Sequence, residues 1–142
     1  MTTTPKHWNV FLSYSRKDKP FVDWLYKKLV KARLTTWLDQ EEILLGDSIT
    51  AKIAEGLQGS DFHIVVLSQM AVQSNWVKAE LEPRLNRQIE EGKVSIICVV
   101  LDGVKPKEIS ELLRDKLYIE FPRDGSDDAF AELRRHIKAH NP

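Results

Sequence analysis

The chain has 142 residues, 42% of them apolar and 30% charged, enough to build one domain around a core. Its 21 basic and 21 acidic residues cancel, so no overall field draws it to nucleic acid or to an anionic membrane, and neither is expected as a partner. The single cysteine excludes an intrachain disulfide and a multi-cysteine metal site, and no apolar run approaches the length of a membrane span. Residues 1–5 are polar and lack the apolar segment of a secretion signal, so a reducing, cytoplasmic setting is expected.

Two residue periods alternate along the chain. Residues 10–14 (VFLSY) form a short apolar run, predicted as the first strand. Asp18 is a helix-capping residue type, Pro20 suits a first helical turn, and Phe21, Leu25, Leu29 and Ala32 recur at helical spacing. Residues 34–38 (LTTWL), β-branched and aromatic, predict strand two. Residues 39–47 (DQEEILLGD) form a loop that carries three adjacent apolar residues, Ile43, Leu44 and Leu45. Asp47 or Ser48 can cap a second helix with Ile49, Ile53 and Leu57 inward and Gly59 at its close.

Residues 62–67 (FHIVVL) predict strand three. Ser74 can cap a long third helix, 75–91, ended by Gly92 and kinked or split at Pro83. Residues 94–101 (VSIICVVL) are almost wholly apolar, as suits a strand covered on both faces, and Cys98 reads there as a small core residue. One short helix is expected within 105–116, strand five over 117–121 (LYIEF), and a last helix over 127–140 with Phe130, Leu133 and Ile137 inward. Such alternation implies an α/β fold, a flavodoxin-like doubly wound sandwich with a five-stranded parallel sheet of order 2-1-3-4-5 and helices on both faces.

In that order a crevice opens at the carboxyl ends of strands one and three. Its rim comprises Ser13, Tyr14, Ser15 and Arg16, then Ser68, Gln69 and Met70, and the loop from Asp39 to Ser48. The acidic residues of a phospho-accepting receiver and the phosphate loop of a flavodoxin are both missing, as are G-x-G-x-x-G and P-loop motifs. Trp76 and Glu80 lie four apart in the first turns of the third helix, sharing one face with Cβ atoms about 6 Å apart. A carboxylate beside an indole can steady developing positive charge and hold sugar hydroxyls while the indole stacks on a planar ring. The same spacing also suits a packing Trp and a surface Glu favoured by the helix dipole. His7, His63, His136 and His140 are scattered without metal-ligand spacing, and no metal is assigned.

Taken together, four segments resemble the boxes of Toll/interleukin-1 receptor (TIR) domains, of the bacterial NAD+-consuming type. They are residues 10–15 (VFLSYS); Asp39 through Gly46, Asp47, Ser48 and Ile49; Ser60-Asp61 with Ile64-Val65-Val66-Leu67-Ser68; and Ser74-Asn75-Trp76-Val77 with Ala79-Glu80-Leu81. The match runs in register from about residue 8 to 101 and more loosely beyond, implying a single TIR domain over 1–142 with its core at about 8–140.

TIR domains comprise non-catalytic adaptors that only self-associate and enzymes that cleave the nicotinamide–ribose bond of NAD+. The resemblance implies Glu80 as the essential catalytic residue and Trp76 as a stacking residue. It implies NAD+ as substrate with no resident cofactor, and a product that is ADP-ribose or a cyclic ADP-ribose. Tyr14, Ser15 and Arg16 are expected to line the crevice, with Arg16 facing the diphosphate or left as a solvated charge. Asp39 and Ser48 are expected near ribose or nicotinamide, with Asp39 equally suited to a plain turn. Ile43, Leu44, Leu45 and Gly46 are expected either to fold inward or to meet a neighbouring TIR domain in a homo-oligomer or filament that completes the site. The implied biology is antiphage defence, host interference or signalling; the alternative is a non-catalytic TIR interaction module.

Overall fold

The computed structural model describes residues 8–38, 61–73, 77, 81–92 and 94–139. In chain order these contain β1 (Asn9–Ser13), a 3-10 turn (Arg16–Asp18), α1 (Lys19–Lys31), β2 (Thr35–Leu38), β3 (Phe62–Leu67), α2 (Gln69–Gln73) and α3 (Glu82–Glu91). There follow β4 (Ser95–Val100), α4 (Pro106–Ile109), a second 3-10 turn (Glu111–Leu113), β5 (Leu117–Glu120) and α5 (Asp127–Ala139). The strands form one sheet of order β2-β1-β3-β4-β5, and each neighbouring pair is parallel. The expected α/β class and strand order are therefore present.

Side chains of successive strand residues leave opposite faces of the sheet, and two cores result. Val10 and Leu12 of β1, Phe62, Ile64 and Val66 of β3, Ile97 and Val99 of β4 and Ile119 of β5 meet Phe21, Val22, Leu25 and Leu29 of α1 and Leu133 and Ile137 of α5. On the opposite face Val65, Leu67, Ile96, Cys98 and Val100 meet Ala71, Val77, Leu81, Leu85, Val104 and Leu113. Burying each large apolar side chain contributes about 1.5–3 kcal/mol, so the inward stripe of α1 holds that helix to the sheet. The central β3 is buried along its whole length, whereas β2 and β5 are the partly exposed edges.

Gly125 has φ +90°, and a Cβ there would come within 2.5 Å of the Trp24 ring, so the turn before α5 needs glycine on both counts. Lys28, half-buried, also meets exposed Asp127 at 2.6 Å, between α1 and the first turn of α5.

A short helix that the sequence does not announce, α2, begins at Gln69 directly after β3. The α-helix ending at Gly92 starts at Glu82, with Pro83 in its first turn and Val77 and Leu81 in π-helical turns ahead of it, so the break expected at Pro83 falls where the α-helical part begins. Gly92 closes α3 in the left-handed conformation at φ 64°. The second helix expected on Ile49, Ile53 and Leu57, with its caps, lies outside the described residues, as does Ser74.

Candidate active site

The carboxyl edge of the sheet is built by the segments that follow β1, β3, β4 and β5. Tyr14 and Ser15 leave the end of β1 buried, Tyr14 as part of the core under α1, and Arg16 is exposed at the start of the 3-10 turn. Asp18 closes that turn, its N–H donating to Ser15 O at 2.9 Å. Trp76, Glu80, Asp39, Ser48 and the 43–46 loop lie outside the described residues.

Asp18 stands at the N-cap position of α1, but its side chain caps nothing. Its carboxylate is wholly buried and turns toward the neighbouring segments. Ser68, at the end of β3, donates its hydroxyl to Asp18 Oδ2 at 2.5 Å and accepts from Ala71 N–H at 3.1 Å. Arg123, after β5, donates from Nη1 to Asp18 Oδ1 at 3.3 Å. The same guanidinium grips Asp102, after β4, with Nε to Oδ1 at 3.2 Å and Nη2 to Oδ2 at 2.5 Å. Asp102 Oδ2 also accepts from Gln69 N–H, the first residue of α2, at 3.3 Å.

The hydrogen bond from Arg123 holds the Asp102 carboxyl below its usual range, and the Asp102 carboxylate in turn raises Arg123. A buried carboxylate is costly without partners, and Asp18 has both a hydroxyl and a guanidinium. None of Asp18, Ser68, Asp102 and Arg123 stands out in the sequence as a cluster. Asp18 is an ordinary capping type, and its cationic partner is 105 residues away.

Beneath α3 lies a second buried polar line. Ser13 Oγ is 2.6 Å from His63 Nε2, and His63 Nδ1 meets Gln88 Oε1 of α3. His63 is thus a core residue of β3, engaged on both ring nitrogens. Among the described residues no group of three or more His, Cys, Asp and Glu side chains could hold a metal. A cavity of about 250 Å³ lined by Lys105, Pro106, Lys107, Leu113, Arg114 and Tyr118 sits beside β5, an edge strand of the sheet. Cys98 is buried, and burial pushes its thiol up to about 12, which suits the core role expected of it.

The five-stranded parallel sheet and the sequence boxes define a doubly wound α/β domain. The family model for the TIR domain matches residues 10–136, and the chain belongs to the TIR domain family. It is 32% identical over 135 residues to the NAD(+) hydrolase TcpA of Theionarchaea archaeon (strain DG-70-1), covering 92% of this chain and 40% of that protein. It is 29% identical over 133 residues to the 2' cyclic ADP-D-ribose synthase BtTIR of Bacteroides thetaiotaomicron, covering 91% of this chain and 46% of that protein. The chain thus spans less than half the length of these relatives. A metazoan TIR-STING receptor from C. gigas shares the fold with a TM-score of 0.69 at 22% identity, over 92% of this chain and 40% of that one. Among the described residues no helix is long and apolar enough to cross a membrane.

Proposed function

We propose that this chain cleaves the nicotinamide–ribose bond of NAD+, releasing nicotinamide and either ADP-ribose or a cyclic ADP-ribose. The observation that carries this reading is the alignment of relatives named as an NAD(+) hydrolase and a cyclic ADP-ribose synthase across nearly the whole chain. It is supported by Trp76 and Glu80 standing four residues apart, the W-x-x-x-E spacing.

Nicotinamide on NAD+ is cationic, so when the C1′–N bond breaks the electron pair leaves on a neutral base and no general acid is needed. One carboxylate then suffices where most glycosidases need two. In this mechanism Glu80 holds the ribose hydroxyls, and its attraction grows as positive charge develops at C1′, the differential binding that lowers a barrier. Water adding at C1′ forms the new C–O bond and releases a proton, giving ADP-ribose. Attack by another part of the same molecule gives a cyclic product, and Trp76 biases that choice by holding a planar ring. Tyr14, Ser15 and Arg16 shape the β1 side, with Arg16 toward the diphosphate, and Asp39 and Ser48 approach ribose or nicotinamide. Residues 43–46 meet a second TIR domain in an assembly that completes the site. A cytoplasmic role in antiphage defence or signalling fits this chemistry.

The test is nicotinamide release from NAD+ by purified protein across a range of protein concentrations. Glu80→Ala is expected to abolish release with an unchanged far-ultraviolet dichroism spectrum, and the wild-type rate per molecule is expected to rise with concentration. Undiminished release by Glu80→Ala removes that residue from the mechanism. No release by the wild type at any concentration leaves the interaction module as the function.

A further inference from the structure

We infer that Asp18 and Arg123 are positioning residues for the site at the carboxyl edge of the sheet: with Ser68 and Asp102 they bind the tails of β1, β3, β4 and β5 into one unit and set the spacing across the crevice between β1 and β3. The catalytic half of this inference rests on the NAD+-cleaving reading; the structural half does not.

The five residues of α2 make little more than one turn, too short to be stable alone, so the position of α2 comes from what holds it. Two side-chain contacts at its start do so. Ser68 Oγ takes the N–H of Ala71, and Asp102 Oδ2 takes the N–H of Gln69. Ser68 is in turn fixed by Asp18 at 2.5 Å, and Asp102 by the Arg123 fork. Asp18 belongs to the β1 tail with Tyr14, Ser15 and Arg16, whereas α2 leads into the segment that carries Trp76 and Glu80.

Arg123 thus joins both sides. Its three donating nitrogens are shared between Asp18 on the β1 side and Asp102 on the α2 side. Only a guanidinium can make that planar fork and still reach a third acceptor; an ammonium is a point charge. Apolar packing beneath the edge leaves such lateral spacing open, because it has no direction; hydrogen bonds to two carboxylates define it. Arg123 acts through the segments it ties.

The experiment uses the full chain and two readouts, amide hydrogen exchange and steady-state nicotinamide release. In Arg123→Met, exchange over residues 15–19 and 69–72 is expected to accelerate together, about tenfold, with β4 amides unchanged. The kcat is expected to fall about tenfold while KM stays within about threefold, because misplaced groups lose reaction geometry more than ground-state binding. Arg123→Lys, which keeps the charge and loses the fork, is expected to lie between wild type and Arg123→Met in both. Faster exchange confined to residues 121–125, or a kcat lowered only in proportion to the unfolded fraction, overturns the inference. Should Arg123→Met fail to fold, Asp102→Asn, which weakens the fork and leaves Asp18 its two partners, is read in the same two ways. A wild type that releases no nicotinamide defeats the NAD+ reading instead, and the coupled exchange of the two segments then decides the positioning claim alone.

Discussion

The two faces of the sheet are held by different physics. Under α1 and α5 the buried strand residues are aliphatic or aromatic, and the helices add Phe21, Leu25, Leu29, Leu133 and Ile137. Under α3 the apolar cluster is interrupted by Ser13, His63 and Gln88, all buried and bonded in line. One ring nitrogen of His63 meets the Ser13 hydroxyl and the other the Gln88 side-chain oxygen, so both are engaged. The first face supplies cohesion without direction. The second gives up some cohesion for a contact that fixes how α3 sits on β1 and β3, at the further cost of a buried Gln88 Nε2 with no partner.

That contrast can be broken from either side. The largest effect belongs to the apolar face. Leu25→Ala, at a fully buried position of α1, is expected to cost about 2–5 kcal/mol, read as a lower denaturant midpoint with an unchanged slope. On the polar face His63→Phe preserves ring volume beside Phe11, whose ring centre is 5.4 Å away, but leaves the Ser13 hydroxyl and the Gln88 amide unpaired. It is expected to cost about 1–2 kcal/mol by the same measurement, and a neutral result would mean that the polar line contributes nothing to the fold.

The smallest effect lies at the sheet edge and depends on pH. Because Asp102 is held below its ordinary 3.8 by Arg123, the folded protein binds that proton less tightly than the unfolded chain does. The stability it lends is therefore complete above the ordinary value and is lost as pH falls below 3.8 through the folded value. Arg123 is 38% exposed, so water screens the pair and the effect is modest. The gap in melting temperature between wild type and Asp102→Asn is expected to close on acidification; a gap constant down to pH 2 would falsify the assignment.

How far the sequence could be read follows from the range of each interaction. β3 was legible because FHIVVL is a continuous strand-type run, and α1 because Phe21, Leu25 and Leu29 repeat at one helical face. Both signals lie within a few residues. Pro83 was correctly a discontinuity, and the structure resolves it as a helix start. Asp18 takes the expected N-cap position, but its pairing with Arg123 could not be read, because a capping residue and a buried, ion-paired carboxylate look alike until Arg123 is seen beside it. His63 looked isolated for the same reason: Ser13 and Gln88 are 50 and 25 residues away. Trp76 and Glu80 are assigned through the family's spacing alone, and with Asp39, Ser48 and residues 43–46 they stand on sequence, outside the described part of the chain.

The only thiol in the chain, Cys98, is fully sealed in β4 and stays protonated at any working pH. Alkylating reagents and mild oxidants should leave the folded molecule unmodified, so no reducing agent is needed to keep it uniform. One cysteine introduced at a solvent-facing position such as Arg16 would then be the sole labelling point for a fluorophore, and would report on the mouth of the crevice against a silent background.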